Sequence, residues 1–259
     1  MKIAMSVLGL VLLPLGLLAA PVPAEVAGQF ELRTQTGADG ASLPYRLLKP
    51  ARIDPGAAYP LVLFLHGAGE RGSNNTAQIK NGVEHFASDA NRAAYPCFVA
   101  VPQCPLNHKW SNVDWSALSN SLPSEPSTEM KLAMAIVDSL QREFRIDARR
   151  IYVTGISMGG YGTWDAISRY PDRFAAAVPV CGGGDEKQAA RLARLPIWCF
   201  HGDADTAVPV ARSRNMIAAI QAAGGAPKYT EYPGVGHNAW DRAYADPALL
   251  AWLFAQSRN

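Results

Sequence analysis

The sequence predicts one three-layer α/β fold with a mostly parallel sheet and an N-terminal antiparallel hairpin. Continuous apolar runs of strand length recur along the chain, as expected for parallel strands that helices cover on both faces. Helix-like segments separate these runs, which favours right-handed crossovers and a ligand site beyond the carboxyl ends of the strands. The apolar runs lie at 60–65, 98–101, 151–154, 176–180 and 197–200.

The remaining elements follow from local patterns. Residues 29–34 and 43–48 alternate, and the Gly-containing turn at 37–40 joins them as a hairpin. Apolar side chains share one face from about 128 to 144, with Ser127 as the N-cap. Further helices are predicted at 77–87, 160–168 and 210–223, and a last strand at 228–232. The final helix is predicted from Asp246-Pro247 onward, with Asp246 as the N-cap and proline at the first helical position.

Residues 1–24 are predicted to be a secretory signal peptide, and residues 25–259 the folded domain. Lys2 is the only charge in this segment, an apolar run covers 7–18, and Val22-Pro23-Ala24 forms a small-residue cleavage site. No other stretch approaches the roughly 20 apolar residues that a membrane span needs. We therefore expect a secreted or periplasmic chain without a stable span, with an uncleaved anchor as the alternative.

Charge and cysteine content exclude some functions. Without Lys2, the 24 basic residues become 23, which 22 acidic ones nearly balance, and no basic run occurs, which argues against nucleic acid as a partner. The four cysteines at 97, 104, 181 and 199 fit no zinc spacing. A Cys97–Cys104 disulfide is disfavoured because an extended strand would separate them by roughly 23 Å. Otherwise buried thiols and disulfides are equally compatible with the sequence.

A Gly-x-Ser-x-Gly pentapeptide, Gly155 to Gly159, lies between the strand-like run at 151–154 and the helix-like run at 160–168. This is the pattern of a nucleophile elbow, in which a strained turn lifts the serine out of the sheet. Side chains two positions either side would clash with neighbouring backbone, which explains the glycines. Ser157 is therefore the candidate nucleophile.

A serine hydroxyl needs a base to accept its proton, and histidine is the usual one. His237 ends a glycine-rich loop after the last strand-like run, so we predict that it is the base. His66 and His201 each follow a strand-like run and precede a glycine, where a buried structural imidazole is more common. His85 and His108 lie in a helix-like segment and a polar loop.

The acid that orients the base should lie in the loop after the strand at 197–200. Spacing leaves both Asp203 and Asp205 open, and either could instead cap the following turn. Asp185 and Asp241 are weaker alternatives. For the oxyanion, the backbone N–H of Met158 is one expected donor, and the glycine-rich loop at 66–72 should supply the other.

These segments resemble the α/β-hydrolase superfamily, and more narrowly bacterial serine peptidases and carboxylesterases related to phospholipase/carboxylesterase and polyhydroxybutyrate-depolymerase-like enzymes. The resemblance implies Asp205 as the acid, because it lies three residues before a Val-Pro pair, and Ala68 as the second oxyanion donor. Ala68 also interrupts the longer HGGG run of many lipases. The matching segments are LVLFLHGAGERG at 61–72, VPQCP at 101–105, IYVTGISMGGYGTWD at 151–165, HGDADTAVP at 201–209 and YPGVGHNAWDRAY at 232–244.

The expected activity is hydrolysis of carboxylic esters, either small molecules or esters linked to polysaccharide, without a metal ion or cofactor. A serine peptidase on the same triad and a catalytically silent binding protein are the alternatives. Trp110 and Trp115, in the long loop at 105–126, are candidates for a substrate pocket, although both could instead close the edge of the core. Trp240, three residues after His237, is a further pocket candidate.

Overall fold

The computed structural model describes residues 22–258, and in it eight strands form one mixed sheet. The strands are β1 (Phe30–Thr36), β2 (Ser42–Leu48), β3 (Tyr59–Leu65), β4 (Phe98–Pro102), β5 (Ile146–Ile156), β6 (Ala176–Val180), β7 (Trp198–Gly202) and β8 (Lys228–Tyr232). Their order is β1-β2-β4-β3-β5-β6-β7-β8. The β1–β2 hairpin and the β2–β4 pair are antiparallel, and all other pairs are parallel. The predicted fold class is therefore confirmed.

Helices connect the strands and cover both faces of the sheet. They are α1 (Ala24–Gly28), α2 (Val83–Ala87), α3 (Asp89–Ala94), α4 (Thr128–Glu143), α5 (Met158–Arg169), α6 (Ala189–Leu192), α7 (Ala211–Ala222), α8 (Trp240–Ala245) and α9 (Pro247–Phe254). The Ser127 hydroxyl accepts from the Met130 N–H at 3.0 Å, and the Asp246 carboxylate accepts from the Ala248 N–H at 2.9 Å. Both predicted N-caps are confirmed.

The helix predicted over 77–87 is wrong in its first half. Asn81 and Gly82 have φ of 56° and 111°, which breaks helical geometry, so α2 begins only at Val83. The predicted signal peptide at 1–24 lies outside the described residues except for its last three. Among residues 22–258, no helix combines the length and apolar character needed to cross a membrane.

The core has two layers, one on each side of the sheet. Leu61, Leu63 and Leu65 of β3 pack into one layer, with α4, α5 and α7, whereas Val62 and Phe64 pack into the other, with α2, α8 and α9. All five side chains are fully buried. At about 1.5–3 kcal/mol for each large apolar side chain, this two-sided burial fixes the central strands and therefore the loops at their carboxyl ends.

The four cysteines are free and buried. Burial raises the pKa of Cys97 and of Cys199 to about 12, so both thiols are protonated and unreactive at neutral pH. Of the two alternatives that the sequence left open, the structure has the buried thiols.

Candidate active site

Ser157 occupies the turn between β5 and α5 in a strained backbone conformation. Its φ of 53° and ψ of −116° are rare for a residue with a side chain, and its N–H donates to the Val180 carbonyl at 2.9 Å. The buried strand before it and the helix after it hold this turn in place. The hydroxyl is therefore presented at the carboxyl edge of the sheet.

The two glycines of the pentapeptide are required by close backbone approach. A Cβ on Gly155 would lie 2.5 Å from the Gly159 carbonyl oxygen, and one on Gly159 would lie 1.8 Å from the Leu65 carbonyl oxygen. Backbone atoms of a central strand cannot move aside, so no side chain fits at either position. This agrees with the steric reason expected from the sequence.

Ser157, His237 and Asp205 form a continuous hydrogen-bonded chain. The Nε2 atom of His237 lies 2.8 Å from the Ser157 Oγ, and its Nδ1 lies 2.6 Å from the Asp205 Oδ2. The side chain of His237 is 26% exposed and that of Asp205 is fully buried. With Nδ1–H donating to the carboxylate, Nε2 is free to accept the serine proton.

The Asp205 carboxylate is fixed and ionised. Its Oδ1 accepts from the backbone N–H groups of Ala207 at 2.8 Å and Val208 at 2.9 Å. Burial raises the pKa of Asp205, but hydrogen bonds from His201 and His237 outweigh it and hold that pKa well below its usual range. A buried carboxylate with this many donors stays negative at neutral pH.

The other aspartates stabilise loops. Asp203 accepts from the Gly234 N–H at 2.6 Å, Asp185 accepts from the Leu122 N–H at 2.9 Å, and Asp241 accepts from the Asn238 side chain at 2.9 Å. Asp205, and not Asp203, is therefore the aspartate that reaches His237. Spacing left these two open, and the shape of the loop separates them.

The two expected oxyanion donors belong to segments that adjoin Ser157. Met158 is the first residue of α5, and Ala68 begins a short 3₁₀ turn after β3. A Cβ on Gly67 would lie 3.6 Å from the Cβ of Ser157, so the loop that carries Ala68 touches the serine. The structure thus brings both predicted donors to the same residue.

His66 fixes the peptide plane that carries the Ala68 N–H. Its Nε2 accepts from the Cys104 N–H at 2.9 Å, so its Nδ1 carries the proton and donates to the Gly67 carbonyl at 2.6 Å. Burial lowers the pKa of His66 to about 4, which keeps the ring neutral. Because the Gly67 carbonyl and the Ala68 N–H share one peptide, the imidazole sets the direction of that N–H. The only sequence signal for this role is a histidine that ends a strand and precedes a glycine.

The three candidate pocket tryptophans have different positions. Trp110 is fully buried, and its indole N–H donates to the His66 carbonyl at 3.0 Å, so it lies in the core below the loop rather than in a pocket wall. Trp115 is half-buried against Tyr161, one turn after Ser157. Trp240 is half-buried, with its ring centre 5.2 Å from that of His237. Trp240 therefore lies next to His237, Trp115 packs against a residue one turn from Ser157, and Trp110 is a core residue.

A group of potential metal ligands lies below Asp205. Cys181, His201 and Asp205 bring one ligand atom each to within 4.8 Å of one another, and all three are buried. The His201 nitrogens already have protein partners: Nε2 lies 3.2 Å from the Asp205 Oδ2, and Nδ1 lies 2.7 Å from the Ser213 Oγ. Hydrogen bonding accounts for this group. Sequence reasoning assigned His201 only a structural role and missed its contact with Asp205.

The strand order and the hydrogen-bonded serine, histidine and aspartate at the carboxyl edge of the sheet define an α/β-hydrolase. Comparison with known proteins narrows this class to a carboxylesterase-like hydrolase. The chain belongs to the phospholipase/carboxylesterase family, whose sequence profile matches residues 54–247.

Individual relatives agree with the family. A solved thermostable esterase has a TM-score of 0.85 and 40% identity over 90% of this chain and 64% of its own. Poly(3-hydroxyalkanoate) depolymerase C of Paucimonas lemoignei is 44% identical over 124 residues, which are 48% of this chain and 28% of the depolymerase. A secreted protein of Arthroderma benhamiae is 25% identical over 233 residues, which are 76% of this chain and 24% of that protein. The chain spans less than two thirds of the length of each of these relatives.

Proposed function

We propose that the protein hydrolyses carboxylic esters through Ser157, His237 and Asp205, by way of an acyl-enzyme intermediate. The observation that carries this proposal is the unbroken hydrogen-bonded chain from the Ser157 hydroxyl to the Asp205 carboxylate. Its distances of 2.8 and 2.6 Å allow proton transfer without any movement of the side chains.

In the proposed reaction, the Ser157 Oγ attacks the ester carbonyl carbon while the Nε2 of His237 takes the hydroxyl proton. The Asp205 carboxylate stabilises the resulting imidazolium, and the N–H groups of Met158 and Ala68 stabilise the oxyanion. The imidazolium then protonates the leaving alcohol. A water molecule, deprotonated by the same imidazole, attacks the acyl-enzyme, releases the acid and restores the serine.

The substrate proposed is a small-molecule or polysaccharide-linked ester. The esterase and polyester depolymerase among the relatives support ester substrates. Trp240 packs against His237, and Trp115 packs against Tyr161, one helical turn after Ser157, so we propose that both contact the acyl or alcohol group. A secreted or periplasmic location is supported by the apolar N-terminal segment at 7–18 and by the secreted relative.

Short-chain p-nitrophenyl esters test the proposal. Replacing Ser157 with alanine should abolish turnover and covalent labelling by a fluorophosphonate, with circular dichroism and melting temperature unchanged. Ser168→Ala is a matched control, because Ser168 is a buried serine of α5, the helix that follows Ser157, and its hydroxyl has no hydrogen-bond partner among residues 22–258. Unchanged turnover in Ser157→Ala would sink the proposal, and faster cleavage of peptide p-nitroanilides than of esters would favour a peptidase. Absence of labelling in the native protein would favour a silent binding protein.

A further inference from the structure

Asp205 has a second imidazole partner that the proposed reaction does not use. The Nε2 of His201 lies 3.2 Å from the Asp205 Oδ2, the same oxygen that His237 contacts at 2.6 Å. His201 is fully buried at the end of β7 and has no access to substrate. Two rings therefore converge on one carboxylate oxygen, one partly exposed and one deep in the core.

The neighbours of His201 determine where its proton is. Its Nε2 also lies 3.0 Å from the Val208 carbonyl oxygen, and because both neighbours of Nε2 are acceptors, this nitrogen must carry the hydrogen. The Nδ1 atom is then an acceptor, and the Ser213 hydroxyl lies 2.7 Å from it. The alternative acceptor for that hydroxyl, the Gly182 carbonyl, is farther away, at 3.3 Å. The proton order therefore runs from Ser213 to His201 to Asp205.

Cys199 adds one more donor to this chain of hydrogen bonds, because its thiol donates to the Ser213 Oγ, with the Sγ at 3.3 Å from that oxygen. At the other end, the Asp205 Oδ1 receives two backbone N–H groups and its Oδ2 receives the Nδ1–H of His237, while the Nε2–H of His201 is shared between that Oδ2 and the nearer Val208 carbonyl. Four donors saturate the lone pairs of a carboxylate. The charge of Asp205 is thus divided between His237 and a fixed buried donor.

The other titratable groups near this pair keep a constant charge. Burial raises the pKa of Cys181, of Cys199 and of Tyr161, so they stay neutral between about pH 5 and pH 8. Glu231 of β8 stays charged, because Arg214 holds the pKa of that carboxyl at about 2. Arg212 of α7, over the Tyr161 ring, is permanently cationic. The charges of these groups are therefore the same in the native protein and in variants of His201 and Ser213.

We infer that His201 is a positioning residue of the active site, whose Nε2–H shares the Asp205 carboxylate with His237 and so limits how strongly that carboxylate stabilises the His237 imidazolium. This inference rests on the proposed function. His201 also holds the carboxylate in the plane in which the Nδ1 of His237 meets it. Removing the donor should concentrate the negative charge on His237 and loosen the orientation of both groups.

The sign of the effect follows from this arrangement. A carboxylate that has lost one donor is a stronger acceptor, so it stabilises the protonated base. The base then becomes protonated at higher pH, and the acidic limb of the kcat/KM profile moves upward. Loss of a hydrogen bond to a charged group predicts a shift of about one pH unit and an approximately tenfold lower kcat/KM at the pH optimum.

Three variants test the inference on a p-nitrophenyl ester between about pH 5 and pH 9. His201→Leu removes the donor and should show the full shift. His201→Gln can place an amide N–H near the former Nε2 and an amide oxygen toward Ser213, so it should restore the native limb. Ser213→Ala removes the hydroxyl that bonds the Nδ1 of His201. The tautomer should stay the same, but the ring is held less firmly toward Asp205, so the acidic limb should shift in the same direction by a smaller amount.

The inference would be overturned if the acidic limb of the kcat/KM profile lay at its native pH in both His201→Leu and Ser213→Ala. It would also be overturned if His201→Leu and His201→Gln moved that limb by the same amount. If His201→Leu does not fold, Ser213→Ala and His201→Gln decide the matter, because only the former should shift. Failure of the proposed function has a separate signature, namely ester turnover or fluorophosphonate labelling that survives in Ser157→Ala. A merely structural role for His201 would lower melting temperature without moving the pH profile of the folded enzyme.

Discussion

Replacing Asp205 with asparagine should inactivate the enzyme by changing which nitrogen of His237 carries the proton. The Oδ1 of Asp205 accepts from two backbone N–H groups, so the asparagine must place its carbonyl oxygen there. Its amide NH₂ then faces the Nδ1 of His237, which has to become an acceptor. The Nε2 of His237 consequently carries the hydrogen and can no longer accept the Ser157 proton.

A base held in the wrong tautomer costs about 10⁴-fold in kcat, or about 5.5 kcal/mol of barrier. The side-chain volume is unchanged, so KM should change by less than about threefold. The assay is the steady-state hydrolysis of p-nitrophenyl butyrate, with circular dichroism to confirm folding. Asp203→Asn is the matched control: Asp203 accepts from the Gly234 N–H, which an asparagine oxygen can also do, and activity should be retained. An Asp205→Asn variant with more than about one tenth of the native kcat would refute the tautomer reasoning.

Three further predictions concern other parts of the site. Gly159→Ala should lower the free energy of unfolding, measured in urea, by more than about 3 kcal/mol, because the new Cβ would lie 1.8 Å from the Leu65 carbonyl oxygen. Gly236→Ala is the control and should be tolerated, because its new Cβ would have no atom of the described structure within 4 Å beyond its chain neighbours. The free energy of unfolding should fall by about 3 kcal/mol as the pH is lowered from about 6.5 to about 4. In this range the folded protein keeps His66 neutral, because its pKa is about 4, whereas the same histidine takes up a proton in the unfolded chain. His66→Gln should remove this contribution to the pH dependence of stability. Trp240→Ala should raise KM and lower kcat by about tenfold, since the indole edge packs against the His237 ring, and an unchanged kcat/KM for several esters would exclude this contact from the site.

Much of the fold could be predicted because local patterns and tertiary burial agree. Two-sided apolar runs identified the central strands, and Ser127 and Asp246 marked helix starts with side chains that cap the backbone. The helix at 77–87 failed where Asn81 and Gly82 adopt positive φ, because its apolar spacing does not report a break in the backbone. Sequence patterns therefore predict a helix or strand best where the side chains of that segment determine its start, its end and its buried face.

The residues of the candidate site also differ in how far sequence patterns could predict them. The pentapeptide and the order of the loops identified Ser157 and His237, whereas Asp203 and Asp205 have the same residue type two positions apart. Spacing cannot decide between them. The family resemblance implied Asp205, and the path of the loop gives the physical reason, because Asp203 accepts from the Gly234 N–H instead. The contact between His201 and Asp205 depends on how β7 and Ser213 of α7 pack together, so residue spacing along the chain could not predict it.

Backbone packing on both sides holds the proposed catalytic groups in place. The strained φ of Ser157 costs about 1–3 kcal/mol, which the burial of β5 and α5 offsets many times over. The loop of His237 has a similar anchor, since a Cβ on Gly202 would lie 2.2 Å from the Val235 carbonyl oxygen, so β7 and the loop lie in direct backbone contact. The histidine loop is therefore tied to β7, and the serine turn is tied to β6 through the hydrogen bond from the Ser157 N–H to the Val180 carbonyl. A site fixed in this way needs no closing motion to align its proton-transfer groups, and its rate should depend on chemistry at Ser157 more than on loop movement.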